Sequence, residues 1–322
     1  MIDLLDESEW RNMSITKYLV YALFFALSTF LAACQGSGTA VREFDVQSGD
    51  VTLHGRLAGE PNSGCVLVAI NGGPGLTSNY MLDLERLAGR DCAVVTYDQR
   101  GMGKSSKPAV PDSAESYTLF KYAEDVEAIR LELKAERIHL FGHSFGGIIA
   151  MQYAVLYPEH VNSMIFFGGG PPTWEGIQTC DRNMFARVQS LIQSGMIPPM
   201  DQWTGKGIDP LLPAYFSDPG FTFPEDSLGS APEFDKDVHD LTYRNLRKLD
   251  LRVGLAPLQK RILLIMGHDD PFGLQMAEAT RDALPNSAVE FVVIDKCGHF
   301  WHECPEAFYP KVRAFLKQPT VP

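Results

Sequence analysis

Apolar positions fall along this chain in short runs of two kinds, and the two kinds alternate. Val41–Val46 and Val51–Leu57 flank Ser48-Gly49-Asp50 and predict an antiparallel hairpin at the edge of a larger sheet. Cys65–Ile70 is continuously apolar, as a strand buried on both faces must be, and Cys92–Tyr97 reads as a second buried strand. A helix is predicted near Tyr80–Ala88 between them. Across Tyr117–Leu133, Leu119, Tyr122, Ala123, Val126, Ile129 and Leu133 recur at helical spacing. Arg137–Phe141 then reads as a strand, Ile148–Tyr157 as an apolar helix and Val161–Phe167 as another strand. This alternation predicts a doubly wound, mostly parallel α/β sheet.

The rhythm stops at Gly168-Gly169-Gly170-Pro171-Pro172. From Thr173 to about Asp250 helical runs near Asp181–Gln193 and Phe234–Leu249 stand among Pro- and Gly-rich loops, which predicts an inserted helical cap. Strand Arg261–Met266, helix Leu274–Leu284, strand Val289–Ile294 and a last helix over Glu306–Leu316 resume the pattern. The expected division is a core over 41–170, a cap over 171–254 and a second core part over 255–322.

Ahead of the core, Tyr18–Ala33 is apolar apart from Ser28 and Thr29, with Lys17 before it. A basic flank, an apolar stretch of secretory length and small residues at its end predict a signal peptide. Leu31-Ala32-Ala33-Cys34 resembles a bacterial lipoprotein box, in which Cys34 becomes lipidated and begins the mature chain. Residues 1–34 are thus expected to be a signal peptide and 35–40 a flexible tether. The acidic leader Met1–Asn12 fits a signal peptide poorly, whereas a start at Met13 fits well. The protein is expected to be exported to the bacterial cell envelope and held to the membrane by lipid, with plain secretion or periplasmic release as the alternative. An uncleaved anchor is the other reading, but this run is shorter than the roughly twenty residues a spanning helix needs.

A net charge of −12 argues against nucleic acid and anionic lipid as electrostatic partners. No Cys-x-x-Cys pair, His-Glu-x-x-His helix or glycine-rich phosphate loop occurs, so neither a metal nor a cofactor is expected. The expected partner is a small molecule or short peptide. Oligomeric state is not encoded in any pattern here.

The chemistry gathers around Gly142-His143-Ser144-Phe145-Gly146, a Gly-x-Ser-x-Gly set between a strand and a helix. That context makes a nucleophile elbow: the tight turn lifts Ser144 above the carboxyl end of the sheet and puts the Phe145 amide at the helix start, where it can face a developing oxyanion. A serine hydroxyl needs a positioned base, itself oriented by a carboxylate. Gly267-His268-Asp269-Asp270 follows one late strand and Asp295-Lys296-Cys297-Gly298-His299 the other. Ser, Asp and His thus come in the chain order of the α/β-hydrolases.

Over essentially all of Val41–Leu316 the chain resembles an α/β-hydrolase, and within that superfamily it is most similar to the proline iminopeptidase group. Gly-Gly-Pro-Gly at 72–75, Asp-Gln-Arg-Gly-x-Gly-x-Ser at 98–105, Gly-His-Ser-Phe-Gly-Gly at 142–147, Gly-x-x-Asp at 267–270 and Gly-His at 298–299 carry the likeness. The resemblance implies Ser144 as nucleophile, Asp270 as acid, His299 as base, and the Gly73 and Phe145 amides as oxyanion hole. Two positions depart from the group. Asn71 stands where the group usually has His, and the elbow often reads Gly-Gly-Ser-Trp-Gly there. Asn71 is expected to bond locally and preserve the hole.

Competing assignments are Asp269 for the acid and His302 for the base. His143 reads as a packed neighbour, and Asp98 and Arg100 as an ion pair or loop hydrogen bonds beneath the site. The superfamily topology makes the strands after Cys65 and Cys92 parallel neighbours, so these cysteines can bridge. Cys297 and Cys304 bracket His299 and can form a second bridge, leaving Cys180 free; five reduced thiols are the alternative.

An aminopeptidase must hold the substrate's ammonium with carboxylates. The cap offers Glu175, Asp181, Asp201, Asp209, Asp218, Glu225, Asp226, Glu233, Asp235, Asp237 and Asp240. Phe185, Trp203, Tyr215, Phe216, Phe221 and Phe223 can line a pocket or seat the cap. The expected activity is release of N-terminal proline or similar residues from short peptides, with a carboxylesterase or lactonase as runner-up and a non-catalytic envelope protein as a distant third.

Overall fold

Burial on both faces organises the chain. In the computed structural model, which describes residues 40–61, 64–203, 207–223 and 230–318, strands β3 (Val66–Ile70), β4 (Ala93–Tyr97), β5 (Ile138–His143) and β7 (Arg261–Gly267) are buried at every position. Together with β1 (Val41–Ser48), β2 (Val51–Ala58), β6 (Val161–Phe167) and β8 (Ala288–Ile294) they form one sheet in the order β1-β2-β4-β3-β5-β6-β7-β8. The β1–β2 hairpin and the β2–β4 pair are antiparallel, and all remaining pairs are parallel. β8 closes the edge and is mostly half-buried or exposed. The signal-peptide, Cys34 and tether expectations fall on residues outside those described.

Helices cover both faces. On one side α1 (Leu119–Glu132) and α2 (Phe145–Leu156) pack Tyr122, Val126, Ile149 and Tyr153 against Val68, Val95 and Leu140. On the other, the 3-10 run Asn79–Leu87 and the C-terminal helix Pro305–Leu316 place Tyr80, Leu84, Phe308 and Val312 against Leu67, Phe141 and Ile165. The sequence predicts an ordinary helix near Tyr80–Ala88; the run over Asn79–Leu87 winds instead as 3-10, with Ser78 held by Asp98 and Tyr80 bonded inward at its start.

Between β6 and β7 lie α3 (Trp174–Gln193), α4 (Leu212–Tyr215), α5 (Lys236–Leu246) and α6 (Arg252–Leu255). Thr173 caps α3 by accepting from the Gly176 amide, and Asp235 caps α5 by accepting from two amides. Ile177, Cys180, Met184, Val188 and Leu191 form the buried stripe of α3. The ends of this segment meet: Trp174 N donates to Leu249 O and Leu251 N to Pro172 O, at 2.9 Å each. Such closure lets a helical insertion leave and rejoin the sheet without disturbing it.

Two disulfides are formed, Cys65–Cys92 and Cys297–Cys304. The first stands one residue before the parallel pairing Val66↔Ala93. Cys180 is buried and free.

Candidate active site

Strand order reverses between β3 and β5, the crevice where open α/β sheets bind ligands. The turns leaving these strands, Asn71–Leu76 and Ser144, meet there. Ser144 adopts φ 53° and ψ −122°, a conformation that costs energy for a residue with a side chain. Its carbonyl accepts from the Gly147 and Gly170 amides at 2.9 and 2.8 Å, which holds the turn. Glycine is required on both sides: a Cβ on Gly142 would lie 2.7 Å from Gly147 Cα, and one on Gly146 would lie 2.1 Å from the Ile70 carbonyl oxygen.

Asp270 follows β7 and His299 follows β8. His299 Nδ1 and Asp270 Oδ2 are 2.7 Å apart in a buried pair, and Asp270 Oδ1 accepts from the Phe272 amide at 2.9 Å. With Nδ1 so engaged, His299 Nε2 is buried and has no partner among the described residues. Ser144 and His299 line one cavity of about 170 Å³; Ser144 and Phe145 line a second of about 80 Å³, and Gly73 lines both. Asp269 instead bonds Ser217 and His268 near the surface. His302 faces away, toward the Tyr80 carbonyl (3.1 Å) and Asp83 (3.4 Å).

A buried relay links the two loops. The Gly72 amide donates to the Tyr80 hydroxyl (2.5 Å), which lies 2.7 Å from His143 Nδ1, and His143 Nε2 lies 2.8 Å from the His299 carbonyl. A carbonyl only accepts, so the His143 proton sits on Nε2 and Tyr80 donates to Nδ1. Burial, reinforced by His299 beside it, drives the His143 pKa well below its usual value and keeps the ring neutral. Asn71 bonds locally, its Nδ2 donating to the Gly72 and Leu76 carbonyls at 2.9 and 2.8 Å, and so fixes the turn that carries Gly73.

Asp98 and Arg100 do not pair with each other. Asp98 accepts from Ser78 and the Lys104 amide, whereas Arg100 makes a two-pronged pair with Asp125 at 2.8 and 2.7 Å. The sequence held no sign of Asp125 as the partner, since it lies on the buried face of α1 within an ordinary helical spacing.

Among the described cap carboxylates, Asp181 alone lines a cavity at Ser144, and it accepts a hydrogen bond from Tyr243. Of the cap aromatics, Trp203 and Tyr215 line the larger cavity, Phe216 and Phe223 pack with Phe300, Phe221 packs with Phe216, and Phe185 is exposed. Glu303 escapes sequence reading altogether. Its carboxylate accepts from the Gly298, Ser217 and Asp218 amides at 2.8, 2.9 and 3.0 Å, tying the His299 loop to the cap.

Residues 66–197 match a family described as alpha/beta hydrolase fold. A proline iminopeptidase-related protein from Thermus thermophilus superposes with a TM-score of 0.66 at 21% identity, covering 86% of this chain and 97% of that one. The chain has the α/β-hydrolase fold. An esterase from Exiguobacterium antarcticum shares the hydrolase fold with a TM-score of 0.62 at 21% identity, over 86% of this chain and 100% of the esterase. In sequence, the chain is 39% identical to the proline iminopeptidase of Lactobacillus helveticus over 112 residues, which are 34% of this chain and 37% of that enzyme. The matched stretch thus spans well under half the length of such curated relatives.

Proposed function

We propose that this protein is a serine hydrolase that releases an N-terminal residue, proline or one similar, from short peptides. The observation that carries the catalytic reading is the buried His299–Asp270 pair at 2.7 Å, with His299 Nε2 unpartnered in a cavity that Ser144 also lines. In this reading Ser144 Oγ attacks the carbonyl carbon and its proton passes to His299 Nε2. Asp270 holds the imidazole in the required tautomer and stabilises the imidazolium. The Gly73 and Phe145 amides receive the oxyanion. The C–N bond then breaks, and the leaving nitrogen takes the proton from His299. Water repeats the sequence on the acyl-enzyme and restores Ser144. No metal or cofactor enters this scheme.

The peptidase reading rests on Asp181. It brings one carboxylate to an otherwise mostly apolar cavity, where a substrate ammonium would be matched in charge. The partial likeness to curated proline iminopeptidases supports the same reading. A second reading, hydrolysis of small acyl esters or lactones by the same residues, is favoured by the apolar side chains Ile148, Ile177, Leu246 and Met276 in that cavity. Comparing kcat/KM for a prolyl arylamide, its N-acetylated form and p-nitrophenyl butyrate separates the two. A peptidase loses orders of magnitude on acetylation, because the ion pair is deleted and Asp181 is left unpaired. Rapid butyrate hydrolysis with no prolyl arylamide cleavage sinks the peptidase reading. We further propose an exported protein anchored through lipid on Cys34, from the sequence pattern at 17–34.

A further inference from the structure

Two cavities meet at Ser144, and their linings differ in a way that assigns them. Gly73, Pro74, Ser144 and Phe272 belong to both. The smaller one, about 80 Å³, is lined by Phe145, Asp181 and Tyr243 and not by His299. The larger, about 170 Å³, carries His299. In acyl transfer by a serine, the histidine that takes the serine proton must hand it to the departing atom, so the leaving group has to lie on the histidine's side. The Phe145 amide and the acyl part lie together on the other side, with Gly73 common to both.

We propose that the larger cavity is a leaving-group subsite that selects a bulky apolar or aromatic group on the departing amine or alcohol. Its wall is built mainly from Leu76, Trp203, Ile208, Leu211, Tyr215 and Phe234, with the His239 ring beside Phe234 as its polar member. None of these six carries a charge, and the cavity has about twice the volume of the one on the acyl side. Tyr215 is fixed on both flanks: its carbonyl accepts from the His299 amide at 2.7 Å and its ring packs against His299 with centroids 5.5 Å apart. The Trp203 indole donates to the Pro198 carbonyl at 2.8 Å, which holds that ring in place as a wall. The base and the wall of the subsite are thereby one packed unit. This inference rests on the Ser144–His299 reading and deepens it, but it does not depend on whether the acyl group is an amino acid.

The test uses two matched pairs on the intact protein. One is prolyl-phenylalanine amide against prolyl-glycine amide; the other is 2-phenylethyl butyrate against ethyl butyrate, whose alcohols depart with similar ease. The bulky member of whichever pair is hydrolysed should lead in kcat/KM by at least about tenfold, the gain from burying a phenyl group. Trp203→Ala and Leu211→Ala should each narrow that ratio several-fold by slowing the bulky member more than the small one. If only the ester pair reacts, the peptidase reading fails while the subsite is still measured. If neither reacts, calorimetric binding of phenylalanine amide against glycine amide reads the subsite without turnover. Equal rates within the reacting pair, or equal binding where none reacts, overturns the proposal.

Discussion

Glu303 offers a test of how His299, the proposed base, is positioned, because one carboxylate serves three backbone donors from two segments. Its Oε2 accepts from Gly298 and Ser217, and its Oε1 from Asp218. Burial raises the Glu303 pKa above the usual carboxylate range, and the three amides oppose that shift. In Glu303→Ala the Asp218 amide, at an exposed position, can turn to water. The Gly298 and Ser217 amides are part-buried and lose their acceptor. At about 1–2 kcal/mol each, this destabilises the fold by about 2–4 kcal/mol. For a domain of this size that is a fall in Tm of roughly 3–7 °C. Freed from the cap, the His299 loop should shift, and displacement of a base by about 1 Å costs on the order of a hundredfold in kcat. KM should change little, since Glu303 lines neither cavity. Glu303→Gln is the informative companion. Its carbonyl oxygen can replace Oε2 and keep both part-buried amides, while its NH2 faces Asp218, so about 1 kcal/mol is expected. Differential scanning calorimetry and steady-state kinetics on the favoured substrate measure both effects. A Glu303→Ala protein that melts within a degree of the parent and keeps its kcat would refute the reasoning.

Three further expectations follow from named groups. Replacing Asp181 by Asn should cut kcat/KM on a prolyl arylamide by at least about tenfold while sparing butyrate; equal losses on both would mean that Asp181 shapes the cavity rather than pairing with an ammonium. Buried His139, with its pKa lowered to about 4, together with His143 and His302, also lowered, stays neutral in the folded chain. The unfolded chain binds protons on these rings below about pH 6.5, so their contribution is present above that pH and is lost as pH falls. Tm should therefore drop from pH 7 to pH 5, and less steeply in His139→Gln; an unchanged slope would contradict the assignment. Intact mass spectrometry of the exported protein should find Cys34 at the N-terminus carrying lipid, and an unmodified Cys34 would end that proposal.

The parallel strands were legible because a strand covered on both faces must be almost wholly apolar, as are Cys65–Ile70, Cys92–Tyr97 apart from Thr96, and Ile262–Met266 after Arg261. Ser144 was legible for a different reason: its flanking glycines answer clashes with Ile70 and Gly147 that the turn makes unavoidable. The cap was visible only as a gap in the rhythm. Its helices appeared shortened or shifted, with α3 beginning at Trp174 rather than near Asp181, because its first turn is fixed by the Thr173 cap and the contact with Leu249 rather than by periodicity. The partners of Arg100 and the role of Glu303 lay beyond reach, since Asp125 and Ser217 come to them from 25 and 86 residues away. Tyr80 likewise stood only at the start of a predicted helix, and its hydroxyl bond to His143 exists only once β3 and β5 are neighbours. Asp181 stood among many equivalent acidic residues of the cap until the cavity singled it out.

The central claim is that Ser144 is the nucleophile. An activity-based fluorophosphonate, followed by peptide mapping, should place the adduct on the peptide containing Ser144, with labelling and turnover both lost in Ser144→Ala. Labelling of Ser144→Ala at the parent rate, or an adduct on another serine, would contradict the account.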